Sequence, residues 1–132
     1  MDPNTPPRRP RAAAKTHRDL IAWQVSMELV TEVYRLALQL PAIERYGLSS
    51  QLRRAAVSIP LNLAEGFARR SRRDFSRFLL VANGSLRELQ TLVELIAMLG
   101  YLSPVALETA TNLANRTGFL VHRLRKNLPD AP

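Results

Sequence analysis

Arginine is the residue type in this sequence best suited to binding a partner, and five arginines fall within nine residues in the middle of the chain. They are Arg69, Arg70, Arg72, Arg73 and Arg77. Because a guanidinium group can bind two phosphate oxygens at once, this cluster predicts a surface that contacts the phosphate backbone of a nucleic acid. The alternative interpretation is a loop whose charges serve only to keep it solvated.

A second basic group lies nearer the C-terminus and consists of Arg116, Arg123 and Lys126, with Phe119 among them. Aromatic residues make up only 6% of the chain, whereas proteins that bind single strands through their bases rely on aromatic stacking. We therefore expect contacts to the phosphate backbone with little sequence specificity. Phe119 is either the one stacking residue of this group or a contact between copies of the chain.

A line of polar residues runs through a segment that is otherwise apolar: Gln51, Arg54, Ser58, Asn62 and Glu65. Their spacings of three, four, four and three residues place them on one side of a helix, between two apolar stripes. If the next helix folds back about residues 68–69, Arg54 comes within reach of Ser85 and Glu88. We predict an interior network of Arg54, Ser58, Ser85 and Glu88 that sets the register of two helices.

Gln51 and Asn62 would stand at the two ends of this network. The alternative interpretation is a site for a ligand or a partner. In that case Asn62 and Glu65 would be exposed near Pro60, which should kink or loosen its helix because it removes a backbone hydrogen bond.

Patterns typical of catalysis and metal binding are absent from the sequence. It contains no cysteine, and its two histidines, His17 and His122, have no second ligand at a metal-binding spacing. No Glu-x-x-His pair and no glycine-rich phosphate loop occurs. We therefore expect a protein that is not an enzyme and that holds no metal or other cofactor.

The overall charge is consistent with a polyanionic partner. The 132 residues carry a formal net charge of +8, and 17 of the 19 basic residues are arginine. A GC-rich genome would also favour arginine over lysine, although it would not explain the net charge. Because there is no cysteine, no membrane-length apolar run and no secretory signal, we expect a cytoplasmic protein.

Apolar residues recur with helical spacing through most of the chain, which predicts an all-α protein. Four helices are expected at about residues 20–40, 48–65, 72–99 and 104–127. Asp19, Ser71 and Ser103 are candidate N-caps, whereas Gly66 and Gly100 are candidate helix ends. Short connections between long amphipathic helices favour an up-down-up-down antiparallel four-helix bundle over residues 19–128. Residues 1–18 read as a disordered basic tail rich in proline and arginine, and residues 129–132 as a frayed end.

Two features of these helices indicate contacts beyond a simple bundle. The apolar arc of the first helix spans roughly 200°, about twice what a surface helix needs. That helix is therefore either central in the fold or partly covered by another subunit. Gly84 lies in the middle of the third helix, where glycine is unfavourable, so we expect another helix to approach it closely.

Many of these residues, taken in order, resemble a known family. The positions concerned are Trp23, Tyr34, Pro41, residues 44–48, 51–59, 62–66, 75–79 and 82–86, Glu88, Leu89 and residues 99–102. The chain resembles, over about residues 19–127, the four-helix bundle proteins encoded in 23S ribosomal RNA intervening sequences. It departs from them at Leu63, where isoleucine is more usual, and in its longer Pro/Arg tail.

The resemblance implies a ring-like homopentamer and kinship in fold with accessory proteins of diversity-generating retroelements, which bind nucleic acid and a reverse transcriptase. A ring fits the wide apolar arc of the first helix. We therefore expect a basic, oligomeric bundle that binds RNA or DNA through phosphate contacts. The alternative is an interaction scaffold for a protein, for example an accessory to a nucleic-acid enzyme such as a reverse transcriptase.

Overall fold

Four α-helices make up most of the chain over residues 14–128, the part that the computed structural model describes. They are α1 (Ile21–Ala37), α2 (Leu48–Phe67), α3 (Arg72–Met98) and α4 (Glu108–Lys126). Two short 3-10 turns, His17–Asp19 and Ala42–Glu44, precede α1 and α2, and these described residues contain no strand. The predicted all-α class is confirmed. Most of the predicted tail and the whole predicted C-terminal end lie outside the described residues.

Each helix packs against two others, so that the four helices stand at the corners of a square when the fold is viewed along the helices. The contacts join α1 to α2, α2 to α3, α3 to α4 and α4 back to α1. The side chains that meet in the middle are mostly leucines at three- and four-residue spacings, with Leu29, Leu52, Ile59, Leu86 and Ile96 fully buried. No helix within residues 14–128 is long and apolar enough to cross a membrane.

Two of the predicted helix ends, at Ser71 and Gly100, are present in the structure. The Ser71 hydroxyl accepts a hydrogen bond from the Asp74 amide at 3.1 Å and so caps α3, and Gly100 takes a positive φ of 75° just after the same helix. The prediction that Asp19 caps the first helix is wrong. Its carboxylate instead accepts hydrogen bonds from the amides of Lys15 and Thr16, which closes the short turn before α1.

The prediction that Gly66 ends the second helix is also wrong, because Gly66 is needed inside it. A Cβ at this position would lie 2.7 Å from Phe78 Cβ and 3.0 Å from Phe75 Cδ1. Glycine therefore allows α2 to approach α3 closely, and α2 continues to Phe67. Pro60 likewise lies buried within α2, and the helix runs through it without a break.

The connections α1–α2 and α3–α4 are joined by one hydrogen bond. The Tyr101 hydroxyl donates to the Glu44 carboxylate at 2.9 Å, and this bond raises the pKa of Tyr101. The other carboxylate oxygen of Glu44 accepts from the Leu48 amide at 3.2 Å, at the first turn of α2. The α4 helix begins later than predicted, because residues 104–107 form a turn in which Ser103 accepts from the Ala106 amide.

Candidate nucleic-acid interface

The start of α3 and the end of α4 together line a basic groove of about 850 Å³. Its lining residues are Arg72, Arg73, Asp74, Ser76, Arg77, Leu80, His122, Arg125, Lys126 and Leu128. Five of these side chains are cationic and one is a carboxylate. We call this surface the basic groove.

Helical spacing brings these basic side chains and His122 onto one surface. Arg73 and Arg77 are separated by four residues on α3, as are His122 and Lys126 on α4, so each pair shares a face of its helix. The first turn of α3 also lies here, and the positive end of its helix dipole adds partial positive charge. The carboxylate of Asp74 is 3.9 Å from the Arg77 guanidinium in a mostly exposed pair, which offsets little of the positive charge.

The structure separates the predicted basic residues into two sets. Arg72, Arg73, Arg77 and Lys126 line the basic groove. Of the remaining predicted residues, Arg69, Arg70, Arg116 and Arg123 are exposed but do not line it. The Arg69 guanidinium pairs with the Glu65 carboxylate at 2.5 Å and lies 5.0 Å from the ring centroid of Phe78, so it is already engaged within the chain.

Two groove residues, His122 and Arg125, were missed by the sequence-based reasoning. The signal that could have found them is the spacing on α4, because Arg125 and Lys126 follow His122 by three and four residues and so lie about one turn from it. The proximity of this face to the start of α3 depends on how α4 packs on α3, which the spacing alone does not give.

Part of the predicted polar network is present between α2 and α3. The hydroxyls of Ser58 and Ser85 are 2.7 Å apart. The amide nitrogen Nδ2 of Asn62 donates to the carbonyl oxygen of Ser58 at 2.7 Å and to its hydroxyl at 3.0 Å. Ser85 is buried, and no buried side-chain polar atom in residues 14–128 lacks a hydrogen-bond partner. Ser58, Asn62 and Ser85 therefore hydrogen-bond to one another, and this group needs no ligand to complete its hydrogen bonds.

The charged part of that network is not interior. Arg54 and Glu88 are both exposed, as are Gln51 and Glu65. Among residues 14–128, no ion pair within 4.0 Å joins Arg54 to Glu88. The physical reason is that two solvated charges gain little from pairing and lose much on burial. They remain at the open rim of a groove instead.

This second groove, of about 770 Å³, lies between α2 and α3. Gln51, Arg54, Ser58, Gly84, Ser85 and Glu88 are among its lining residues, and none of its lining residues also lines the basic groove. We call it the α2–α3 groove. Glu65 lines neither groove. It lies near the C-terminal end of α2, where its carboxylate pairs with Arg69.

The fold and the groove define a class of protein: a small four-helix protein with a cationic surface at the junction of two helices. The sequence model of the 23S rRNA-intervening sequence protein family matches residues 18–123. The chain therefore belongs to that family, and the family assignment made from the sequence is confirmed.

A solved structure shares the fold. It is a crystal structure of a protein of unknown function from the S23 ribosomal protein family of Bacteroides thetaiotaomicron VPI-5482, with a TM-score of 0.75 and 23% sequence identity. The alignment covers 81% of this chain and 100% of that one. A comparison with curated proteins finds no match.

Proposed function

We propose that this protein is a non-enzymatic nucleic-acid-binding protein that holds RNA or DNA by its phosphates in the basic groove. The observation that carries the proposal is the convergence of five cationic side chains from two helices around a single carboxylate. Each cation that neutralises a phosphate releases condensed counterions. A groove of this composition therefore gains most of its binding free energy from the backbone of the nucleic acid.

Low sequence specificity follows from the same composition. The groove contains arginine, lysine, histidine, serine and leucine side chains but no Phe, Tyr or Trp, so bases have no aromatic platform there. The nearest exposed aromatic residue on α4, Phe119, does not line the groove. Phosphate contacts position a nucleic acid without reading its sequence.

We also propose that the helices alternate up and down and that the chain assembles into a ring, namely the homopentamer that its family resemblance implies. Ser58 on α2 pairs with Ser85 on α3, and Gly66 lies against Phe78, which supports opposite directions for these two helices. In a ring, several basic grooves act on one nucleic acid, so weak contacts at each groove add up by avidity.

The test compares two double variants that remove the same charge from different places. Arg73→Gln with Arg125→Gln removes two cations from the basic groove, whereas Arg116→Gln with Arg123→Gln removes two exposed arginines of α4 outside it. Fluorescence anisotropy with a structured RNA and a duplex DNA at about 50 mM salt measures the affinity. We expect a loss of at least tenfold for the groove variant and much less for its control.

Equal losses in the two double variants would mean that net charge, and not the groove, drives binding. No binding by the unmodified protein at micromolar concentration and low salt would refute the proposal.

A second candidate function, a scaffold for another protein, is favoured by exposed apolar residues outside the basic groove. Leu38 is 89% exposed and Leu61 is 63% exposed, and contiguous exposed apolar surface is typical of protein interfaces. Purification from the native host distinguishes the two functions. A stoichiometric protein partner that survives nuclease and high salt would support the scaffold, and loss of all partners after nuclease would support nucleic-acid binding.

A further inference from the structure

One exposed aromatic side chain on α4 has an arginine about one helical turn away on either side. Phe119 is 63% exposed, and its ring makes no contact with another aromatic ring within residues 14–128. Arg116 precedes it by three residues and Arg123 follows it by four, and both are exposed. Proteins that bind unpaired nucleotides combine these two elements, because an aromatic ring stacks on a base while cations hold the phosphates.

Both arginines have their guanidinium groups available for a ligand. Within residues 14–128, neither Arg116 nor Arg123 makes an ion pair or a side-chain hydrogen bond. The α4 helix carries no acidic residue after Glu108 in its first turn. On the neighbouring helix α1, Glu32 pairs within its own helix and Glu28 forms no ion pair with either arginine. The surface around Phe119 is therefore cationic and complementary to phosphate.

Phe119 lies on α4 between these two arginines and the basic groove. At about 100° per residue, His122 and Lys126 of the groove lie about 60° and 20° round the helix from Phe119 on one side. Arg116 and Arg123 lie about 60° and 40° from it on the other side. A strand that leaves the basic groove across α4 therefore passes over Phe119 and reaches the two arginines beyond it.

The ring can add binding only where a base is unpaired. Bases inside a duplex are already stacked on one another, whereas the bases of loops, bulges and ends can splay out and stack on an aromatic side chain. The basic groove has no aromatic side chain and contacts phosphates, which paired and unpaired nucleotides both carry. The two surfaces together therefore favour a nucleic acid that has both kinds of nucleotide.

We propose that Arg116, Phe119 and Arg123 form a second binding site, the α4 stacking site, for an unpaired nucleotide next to a duplex held in the basic groove. The ring stacks on the base, and the guanidinium groups bind the phosphates on either side. The substrate class is a junction between paired and unpaired nucleotides, and stacking selects it without reading which base is present. This inference rests on the proposed function, because it extends the binding made by the basic groove.

The experiment compares a blunt duplex with the same duplex carrying a short unpaired extension on one strand, each made in RNA and in DNA. Fluorescence anisotropy at low salt measures the affinity of the full-length protein for each. We expect the extension to raise the affinity of the unmodified protein about fivefold or more. Phe119→Leu, which removes the ring and keeps an apolar side chain, should lose this gain and bind the blunt duplex as before. A gain in only one nucleic acid would identify that one as the ligand.

Two further variants test stacking directly. Phe119→Trp keeps a ring, so it should keep the gain, and the extended duplex should quench its fluorescence more than the blunt duplex does. The unmodified protein, whose one tryptophan is Trp23, gives the background signal and should show no such difference. Arg116→Gln with Arg123→Gln should lose part of the gain and bind the blunt duplex nearly as well as the unmodified protein.

Tyr46→Leu is the matched control. Tyr46 is 88% exposed, the Arg45 guanidinium lies 5.7 Å from its ring centroid, and it does not line the basic groove. This variant should keep the gain, and an equal loss in it would overturn the proposal. An unmodified protein that gains nothing from the extension, or a Phe119→Leu protein that keeps the gain, would do the same. Light scattering should give Phe119→Leu the mass of the unmodified protein, and a changed mass would place Phe119 in a contact between copies instead.

The blunt duplex separates this inference from the proposed function. The Arg73→Gln with Arg125→Gln variant should weaken binding of the blunt and the extended duplex by the same factor, because its two residues lie in the basic groove. A protein that binds the blunt duplex through the groove and gains nothing from the extension would retain the proposed function and remove the α4 stacking site. A protein that binds neither duplex would remove both.

Discussion

Two glycines inside helices should respond to alanine with opposite signs. Gly66 is buried in α2, where an added Cβ would lie 2.7 Å from Phe78 Cβ and 3.0 Å from Phe75 Cδ1. Gly84 is exposed in α3, where an added Cβ would meet no atom within 4 Å. The expectation that another helix of the described chain approaches Gly84 is therefore wrong. Because the substitution is the same at both positions, the two variants separate the effect of close helix packing on stability from the effect of intrinsic helix propensity.

The magnitudes follow from two opposing terms. Alanine in place of glycine favours a helix by about 1 kcal/mol, and this gain applies at both positions. Overpacking costs roughly 1–3 kcal/mol, and it applies only at Gly66. Because Phe78 Cβ is fixed to its backbone and cannot rotate away, relief requires α3 to move, so the cost should fall in the upper part of that range. We expect Gly66→Ala to lower the free energy of unfolding by about 1–2 kcal/mol and Gly84→Ala to raise it by about 0.5–1 kcal/mol.

Urea unfolding followed by circular dichroism measures both changes, with the unmodified protein as reference. Each protein is measured at several concentrations, because the stability of an oligomer depends on concentration. The values to compare are those at the lowest concentration. A Gly66→Ala protein as stable as the unmodified one, or a shift of the same sign for both variants, would refute the packing argument.

Three further predictions concern charge and hydrogen bonding. If all five cations of the basic groove contact phosphates of a duplex, a plot of log affinity against log salt should have a slope of about −4.5, and Arg73→Gln with Arg125→Gln should make it shallower by about 1.8. The hydrogen bond to Glu44 raises the pKa of Tyr101, so its stabilising effect is present below the unfolded pKa of about 10 and is lost as the pH rises through the folded value. Tyr101→Phe should therefore unfold at a lower temperature near neutral pH and lose less stability than the unmodified protein in alkali. Ser85→Ala should lower the free energy of unfolding by about 1 kcal/mol in urea titrations, because it removes a 2.7 Å hydrogen bond at a buried position.

The helices could be predicted because their determinants are local. Leucine and alanine recur with helical spacing, the Ser71 hydroxyl is three residues from the amide it caps, and Gly100 is the residue type that takes a positive φ after a helix. Asp19 was misjudged because Thr16, three residues earlier, offers its carboxylate a competing turn. Gly66 was misjudged because its reason for being glycine is Phe78 on another helix, which local sequence does not reveal.

The candidate site was less accessible from the sequence, because it depends on which helix faces meet. Folding α3 back on α2 correctly brought Ser58 to Ser85, since the hairpin fixes that pairing. It did not decide whether Arg54 and Glu88 point into the interface or out of it, and they are exposed. Clusters in sequence also differ from clusters in space: Arg69 and Arg70 adjoin the groove arginines in the chain but lie outside the groove, whereas Arg125 comes from a different helix.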